Sequence, residues 1–386
     1  MNQKIVYMDN NATTPVAPEV KQIILETLDI YGNASSMHGP GRLAHVAVAN
    51  SREKVAKLIG AQSEEVIFTG GGSESNNSVL NLVNSDIFEG TGRNRIVTTR
   101  VEHPSIYETV QTLEEKGIPV TFIGVDSYGS FKVDELEAAM GDDVAIVSVM
   151  MANNEIGTVL DVEKASELAH SCGALFHTDA VQAAGKIPID VKKLGIDFLS
   201  LSGHKLYAPK GVGALYIRKG IRFCPLIHGG HQEAGRRAGT YNNTGIIALG
   251  RAAELALDHL ENEAERVGAL RDKLKAGILE QIPNVHMNGH PRQVLPGTLN
   301  VSFPGAEGES ILLYLDMEGI AVSTGSACAT GSLEPSYVLM ETGIGAELAH
   351  GSIRFSLGAY NTEDEVDYVL EKLPPVIRKI REMSTL

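Results

Sequence analysis

Three short stretches of this chain place reactive side chains where an apolar run ends. Ser200-Leu201-Ser202-Gly203-His204-Lys205 closes such a run with an amine, an imidazole and hydroxyls. Gly203 permits close backbone approach. A lysine is ordinarily solvated, but beside Ser202 and His204 the Lys205 amine suits Schiff-base chemistry next to a phosphate. His177-Thr178-Asp179-Ala180-Val181-Gln182 sets a carboxylate after a second run. A buried carboxylate needs a partner. That partner is a helix N-terminal amide or the pyridinium nitrogen of pyridoxal phosphate, a ligand Gln182 could also reach. Thr69-Gly70-Gly71-Gly72-Ser73-Glu74-Ser75-Asn76-Asn77 joins a third run to a helical pattern. Glycines and hydroxyls at a helix N-terminus bind phosphate through unpaired N–H groups and the helix dipole. The stretch is neither GxxxxGK nor a complete GxGxxG, which turns the reading away from nucleotides. A strand-end lysine, a strand-end aspartate and a glycine-rich anion turn together describe a pyridoxal-phosphate enzyme.

The elements that must hold these stretches follow from the pattern around them. β-rich runs at 66–69, 95–99, 120–123, 144–149, 174–178, 197–201 and 213–217 alternate with helical patterns. Strands separated by helices imply βαβ units in a mostly parallel, covered sheet. The character changes near residue 246, where a charged, leucine-bearing helical stretch runs to 281. After it come β-rich runs at 297–302 and 352–356, a helix near 309–318 and a small-residue loop at 323–335. Thr362 and Glu365 have capping-box spacing, and Val366, Val369, Leu370 and Leu373 mark an apolar helix face. Pro374 and Pro375 are predicted to break or kink that helix. The chain reads as a large α/β unit followed by a smaller α+β unit.

Composition excludes several other classes. Hydrophobic residues make up 43% of the 386 and charged residues 21%, as in soluble globular proteins. The charge balance, 33 − 48 = −15, lacks the basic excess of a nucleic-acid binder. No apolar run has the length of a membrane span, and no apolar signal region precedes Asp9, so the cytoplasm is the expected location. Cys172, Cys224 and Cys328 form no CxxC, which argues against a disulfide framework or a zinc knuckle.

Over essentially its whole length the chain resembles NifS/IscS-type cysteine desulfurases of the class V aminotransferase family. The motifs carrying the resemblance begin with Asp9-Asn10-Asn11-Ala12-Thr13-Thr14-Pro15, Glu102-His103-Pro104-Ser105 and Asn153-Asn154-Glu155-Ile156-Gly157. They continue through the Asp179 and Lys205 stretches to Arg237-Ala238-Gly239-Thr240, Ser326-Ala327-Cys328 and Ser352-Ile353-Arg354-Phe355-Ser356-Leu357-Gly358. Thr330-Gly331-Ser332, Ala349-His350-Gly351-Ser352 and an end soon after the last helix are closer to the NifS type.

The resemblance implies an aspartate-aminotransferase-like α/β architecture, fold type I of pyridoxal-phosphate enzymes. It implies a large cofactor-binding unit over 14–256. A smaller unit would comprise 1–13 and 257–386 and carry the catalytic cysteine loop. Lys205 would hold pyridoxal 5'-phosphate and shuttle protons. Asp179 would pair with the ring nitrogen, Gln182 with the ring hydroxyl, and His103 would stack on the ring. Gly72, Ser73, Ser202 and His204 would hold the phosphate. Thr240 would reach the phosphate of the other subunit in a homodimer. Asn154 would lie beside the ring or the substrate carboxylate, and the fork of Arg354 would clamp that carboxylate. Cys328, in a glycine-flanked loop expected to move, would take sulfur from L-cysteine as a persulfide and leave L-alanine. The sulfur would pass to an iron–sulfur scaffold protein of the NifU/IscU type or another acceptor. No intrinsic metal site is implied; Cys328 would meet metal only through a transferred iron–sulfur cluster. Neither nucleic acid nor membrane is an expected partner. Selenocysteine lyases and aminotransferases share the fold, and a catalytically silent sulfur-trafficking subunit is the alternative from another class.

Overall fold

A computed structural model describes residues 5–324 and 334–383 of the chain. Its strands in chain order are β1 (Val6–Tyr7), β2 (Val66–Thr69), β3 (Arg95–Thr99), β4 (Val120–Ile123), β5 (Val144–Ser148) and β6 (Leu175–Asp179). There follow β7 (Phe198–Ser202), β8 (Gly213–Ile217), β9 (His286–Asn288), β10 (Thr298–Ser302), β11 (Ile320–Ala321) and β12 (Ser352–Ser356). Among the described residues a seven-stranded sheet has the order β2-β8-β7-β6-β5-β3-β4. Strands from β4 across to β7 run parallel, while β8 is antiparallel to both β7 and β2. The α/β class and mostly parallel sheet expected from the sequence are therefore present. β6 and β7 end one residue later than their apolar runs suggested, so Asp179 and Ser202 are the last residues of their strands.

Alternation along each strand divides side chains between the two faces of this sheet. Val66 and Phe68, Leu199 and Leu201, and Ala214 and Tyr216 enter one apolar cluster. Their neighbours Ile67, Phe198, Leu215 and Ile217 enter a second. The helices Gly39–Leu58 and Val162–Ser171 cover the first face. The helices Gly72–Leu80 and Pro104–Glu115 cover the second. Burial on both sides is why the strands read as continuous apolar runs.

A third cluster lies around β10, which pairs antiparallel with β12 and β9. The helix Asn243–Gln281 serves two of these clusters. Ile246, Leu249 and Ala253 pack against the large sheet, whereas Val267, Leu270, Leu274 and Ile278 pack in the third cluster. The division drawn at 256/257 thus falls inside one continuous helix. β1 pairs in parallel with β11, and Asp9 bridges to Ser356, which brings the start of the chain against β12.

The break expected at the two prolines does not occur. The helix Glu363–Met383 runs through Pro374 and Pro375 as a single element. Val369, Leu370 and Leu373 before the prolines and Ile377 and Ile380 after them bury in the same cluster. That packing holds the helix together where proline alone favours a break. Its capping box is formed: the Glu365 amide donates to Thr362 Oγ1 and the Thr362 amide to Glu365 Oε2, each at 3.3 Å. Among the described residues no helix is long and apolar enough to cross a membrane.

Candidate active site

The side chains singled out in the sequence gather at the carboxyl ends of the parallel strands. Open α/β sheets bind ligands there, where strand order reverses. His103 follows β3, Asn154 follows β5, Asp179 ends β6, and Ser202 ends β7 just before the Gly203–Lys205 turn. With Gln182, His204 and Lys205 they line a cleft of about 370 Å³, to which Gly72, Ser73 and Arg354 also contribute. Thr240, expected at the cofactor phosphate of a second subunit, is exposed and does not line this cleft. Cys328 lies outside the described residues.

The anion turn is built for close approach. Gly71 has φ +155°, and a Cβ on Gly72 would sit 2.7 Å from Val181 Cγ2. Gly72 opens its helix, where unpaired amides and the dipole favour an anion. The acidic residue of that first turn is engaged elsewhere. Glu74 accepts from the Gly70 amide at 2.7 Å and from Arg237 Nε at 2.9 Å.

Asp179 both closes a turn and presents its carboxylate to the cleft. Oδ1 accepts from the Val181 amide at 2.9 Å, and Oδ2 accepts from Asn76 Nδ2 at 2.7 Å. Asn76 Nδ2 also donates to Ser105 Oγ at 2.8 Å, while its buried Oδ1 has no partner. Ser105 in turn fixes His103, whose Nδ1 accepts from the Ser105 amide at 3.1 Å. A neutral His103 therefore carries its proton on Nε2. Burial, chiefly, holds the His103 pKa below the usual imidazole value; Asp179 opposes this and Lys205 adds to it. Burial and the nearby Lys205 push His204 down to about 4, so at neutral pH that ring is uncharged.

The amine and the guanidinium are joined by the segment that follows β1. Lys205 Nζ donates to the carbonyls of Asn11 and of Ala12, the latter at 2.6 Å. Gln182 Nε2 donates to the same Asn11 carbonyl at 2.9 Å. Asn11 Nδ2 donates to the Asn154 carbonyl at 3.2 Å and to Thr298 Oγ1 at 2.9 Å. Arg354 Nη1 also reaches the Asn154 carbonyl, at 3.0 Å, and Nη2 reaches Asp9 Oδ1 at 2.8 Å. The Arg354 side chain is only 3% exposed, yet its Nε is buried without a partner. A fixed guanidinium with an unspent donor is suited to a carboxylate.

Asp9, Asn11, Asn76, Ser105 and Glu102 hold this site together, although residue types and spacing assigned them no role. All five sit in motifs already visible at 9–15, 69–77 and 102–105. Glu102 is fully buried; its Oε1 accepts from Thr99 Oγ1 at 2.7 Å and from the Met150 amide at 2.9 Å. It thereby ties the end of β3, and so His103, to the end of β5. Burial pushes its carboxyl up to about 8. Cys172 and Cys224 are half-buried and line no part of the cleft.

Residues 6–369 match the family described as Aminotransferase class-V. The chain is 50% identical over 381 residues to "Cysteine desulfurase 2" of Trichormus variabilis, covering 98% of this chain and 95% of that one. It is 48% identical over 381 residues to "Cysteine desulfurase NifS" of Azotobacter vinelandii, covering 98% and 94%. A solved structure titled "NIFS-LIKE PROTEIN" superposes with a TM-score of 0.89 at 40% identity, covering 98% of this chain and 99% of its own.

Proposed function

This chain belongs to the class-V aminotransferase family and is a cysteine desulfurase; we propose that it holds pyridoxal phosphate on Lys205, converts L-cysteine to L-alanine and collects the sulfur as a persulfide on Cys328. The observation that carries this reading is the convergence of Lys205, Asp179 and Arg354 on one cleft. The residues fit the cofactor. Lys205 is the amine that would hold it covalently, Asp179 the partner of its ring nitrogen and Gln182 that of its ring hydroxyl. The side-chain-free cradle at Gly72, with Ser73, Ser202 and His204, would hold its phosphate. The buried Asn76 Oδ1 and Arg354 Nε are donors and acceptors still waiting for a ligand.

When bound, the cofactor supplies an electron sink that acidifies the α-carbon of an amino acid. The chain's own residues do the rest. Arg354 binds the substrate carboxylate and sets the orientation of its α-carbon. Lys205 Nζ carries the proton to and from carbon. His103, held by Ser105, covers the cleft and donates from Nε2. The Cys328 thiolate forms an S–S bond to the substrate sulfur as the substrate C–S bond breaks, and the three-carbon remainder leaves as L-alanine after protonation. The persulfide then passes to an iron–sulfur scaffold protein or another thiol acceptor. Thr240 is assigned to the cofactor phosphate of a second copy in a homodimer. Its exposure leaves it accessible to such a contact.

The test is covalent trapping. Holoenzyme reduced with borohydride should retain the cofactor on the peptide containing Lys205, and Lys205→Ala should release no alanine. Trapping on another lysine, or full turnover by Lys205→Ala, would overturn the reading.

A further inference from the structure

Behind Lys205 stands a second amine. Lys186 Nζ donates to Gln182 Oε1 at 3.0 Å and to Asn11 Oδ1 at 3.4 Å. Both lysines border a further cavity of about 330 Å³, walled in part by Ala252, Leu255, Ala256 and Val267. Among the described residues Lys186 has no carboxylate within ion-pair distance. Its hydrogen bonds go to two amide oxygens that belong to the site.

This settles an orientation that amide side chains usually leave open. Protonated Lys186 can only donate, and the Asn11 carbonyl can only accept. Gln182 lies between them, so Oε1 must face Lys186 and Nε2 must face the Asn11 carbonyl. One N–H of the Gln182 amide remains for a ligand in the cleft. The same Asn11 carbonyl accepts from Lys205 Nζ. The two amines are thus linked through Asn11, directly and by way of Gln182, in a partly buried region where charges interact more strongly than in water.

We propose that Lys186 is a positioning residue of this site: it turns the donor end of Gln182 toward the cofactor, and its charge favours the proton-free form of the Lys205 nitrogen. The inference rests on Lys205 holding pyridoxal phosphate. A lysine beside another cationic group is a recognised way to activate an amine. The coupling is mutual. Burial first, then Lys205 and Arg354, push Lys186 down to about 7. The other groups facing the pair leave this sign intact. On the cleft side are Asp179, His103, His204 and Arg354, the last already paired with Asp9. Across the cavity stand Glu19, Tyr207, Tyr360, His259 and Glu263, the last paired with Arg266.

The experiment is a pH titration of the absorbance of the bound cofactor in holoenzyme, comparing wild type with Lys186→Met, Lys186→Gln and Lys186→Arg. Removing a positive charge raises the pKa of a neighbouring nitrogen, so Lys186→Met should move the midpoint upward by about one pH unit. Lys186→Gln, which keeps a donor without the charge, should move it in the same direction and carries the comparison if the Met variant does not fold. Lys186→Arg, charged at every pH used, should sit at or below wild type. The pH profile of kcat should shift with the midpoint while KM for cysteine holds. Coincident midpoints for wild type, Met and Gln in fully loaded protein would overturn the inference. Wild-type protein that takes up no pyridoxal phosphate would instead overturn the function proposed above.

Discussion

Replacing Arg354 should separate substrate recognition from cofactor retention. Arg354 lies on β12, away from the glycine cradle, and touches Asp9 and the Asn154 carbonyl at 2.8 and 3.0 Å. Arg354→Ala removes the fork that would receive the substrate carboxylate. Each charge-assisted hydrogen bond contributes about 1.5–3 kcal/mol. Two bonds to one carboxylate are not additive, so a working loss of about 3 kcal/mol corresponds to roughly a hundredfold in affinity. KM for L-cysteine should rise by that order, with the cofactor absorbance intact. Folding should also weaken, because Asp9 loses its partner and a buried side chain is deleted. Asp9 is 21% exposed, which limits the penalty to about 2–4 kcal/mol. Arg354→Lys should recover only part of the binding, since a single ammonium cannot serve Asp9, the Asn154 carbonyl and a substrate carboxylate together. The assay is alanine release against cysteine concentration, with denaturant melts run in parallel. A loaded Arg354→Ala enzyme with unchanged KM would show that the guanidinium does not bind the substrate carboxylate.

Two further outcomes follow from buried carboxyl groups. Asp179→Asn should fold, because its amide oxygen can still accept from the Val181 amide while its NH2 meets an Asn76 side chain turned to present the unpartnered Oδ1, but should bind pyridoxal phosphate about ten- to a hundredfold more weakly on reconstitution of apoenzyme; equal affinity would exclude the ring-nitrogen contact. Glu102, whose folded pKa is raised by burial to about 8, keeps its proton over a range where the unfolded chain has lost it. The native state then binds more protons, so this group's contribution to stability is full below the unfolded carboxyl pKa and falls as pH rises toward 8. Glu102→Gln should remove that decline, visible as a stability difference between variant and wild type that grows with pH across this window. Parallel pH–stability curves would show Glu102 to be ionised in the native protein.

The parts of the site that could be read from residue order are those attached to a strand end. Lys205, Asp179 and the glycine turn each adjoin an apolar run, so local pattern alone places them on one edge of a sheet. The residues that hold them could not be found that way. Asp9 meets Arg354 only because β1 pairs with β11 and the chain's start lies along β12. Asn11 becomes the junction of Lys205, Gln182 and Asn154 through contacts spanning 194, 171 and 143 positions. Lys186 resembles any charged residue after a helical turn until its partners are known to be the amides of Gln182 and Asn11. Pro374 and Pro375 show the opposite case: a strong local signal for a break yields to the apolar stripe on either side. Thr240 is exposed in a single copy of the chain, so its assignment depends on a second one.

In the proposed reaction sulfur leaves L-cysteine in this cleft and arrives on Cys328. Mass spectrometry of holoenzyme after a brief exposure to L-cysteine tests it most directly. One added sulfur is expected on the peptide containing Cys328, absent from Cys172 and Cys224 and absent when Lys205 is replaced by alanine. Sulfur found only on Cys172 or Cys224, or normal alanine release by Cys328→Ala, would contradict it.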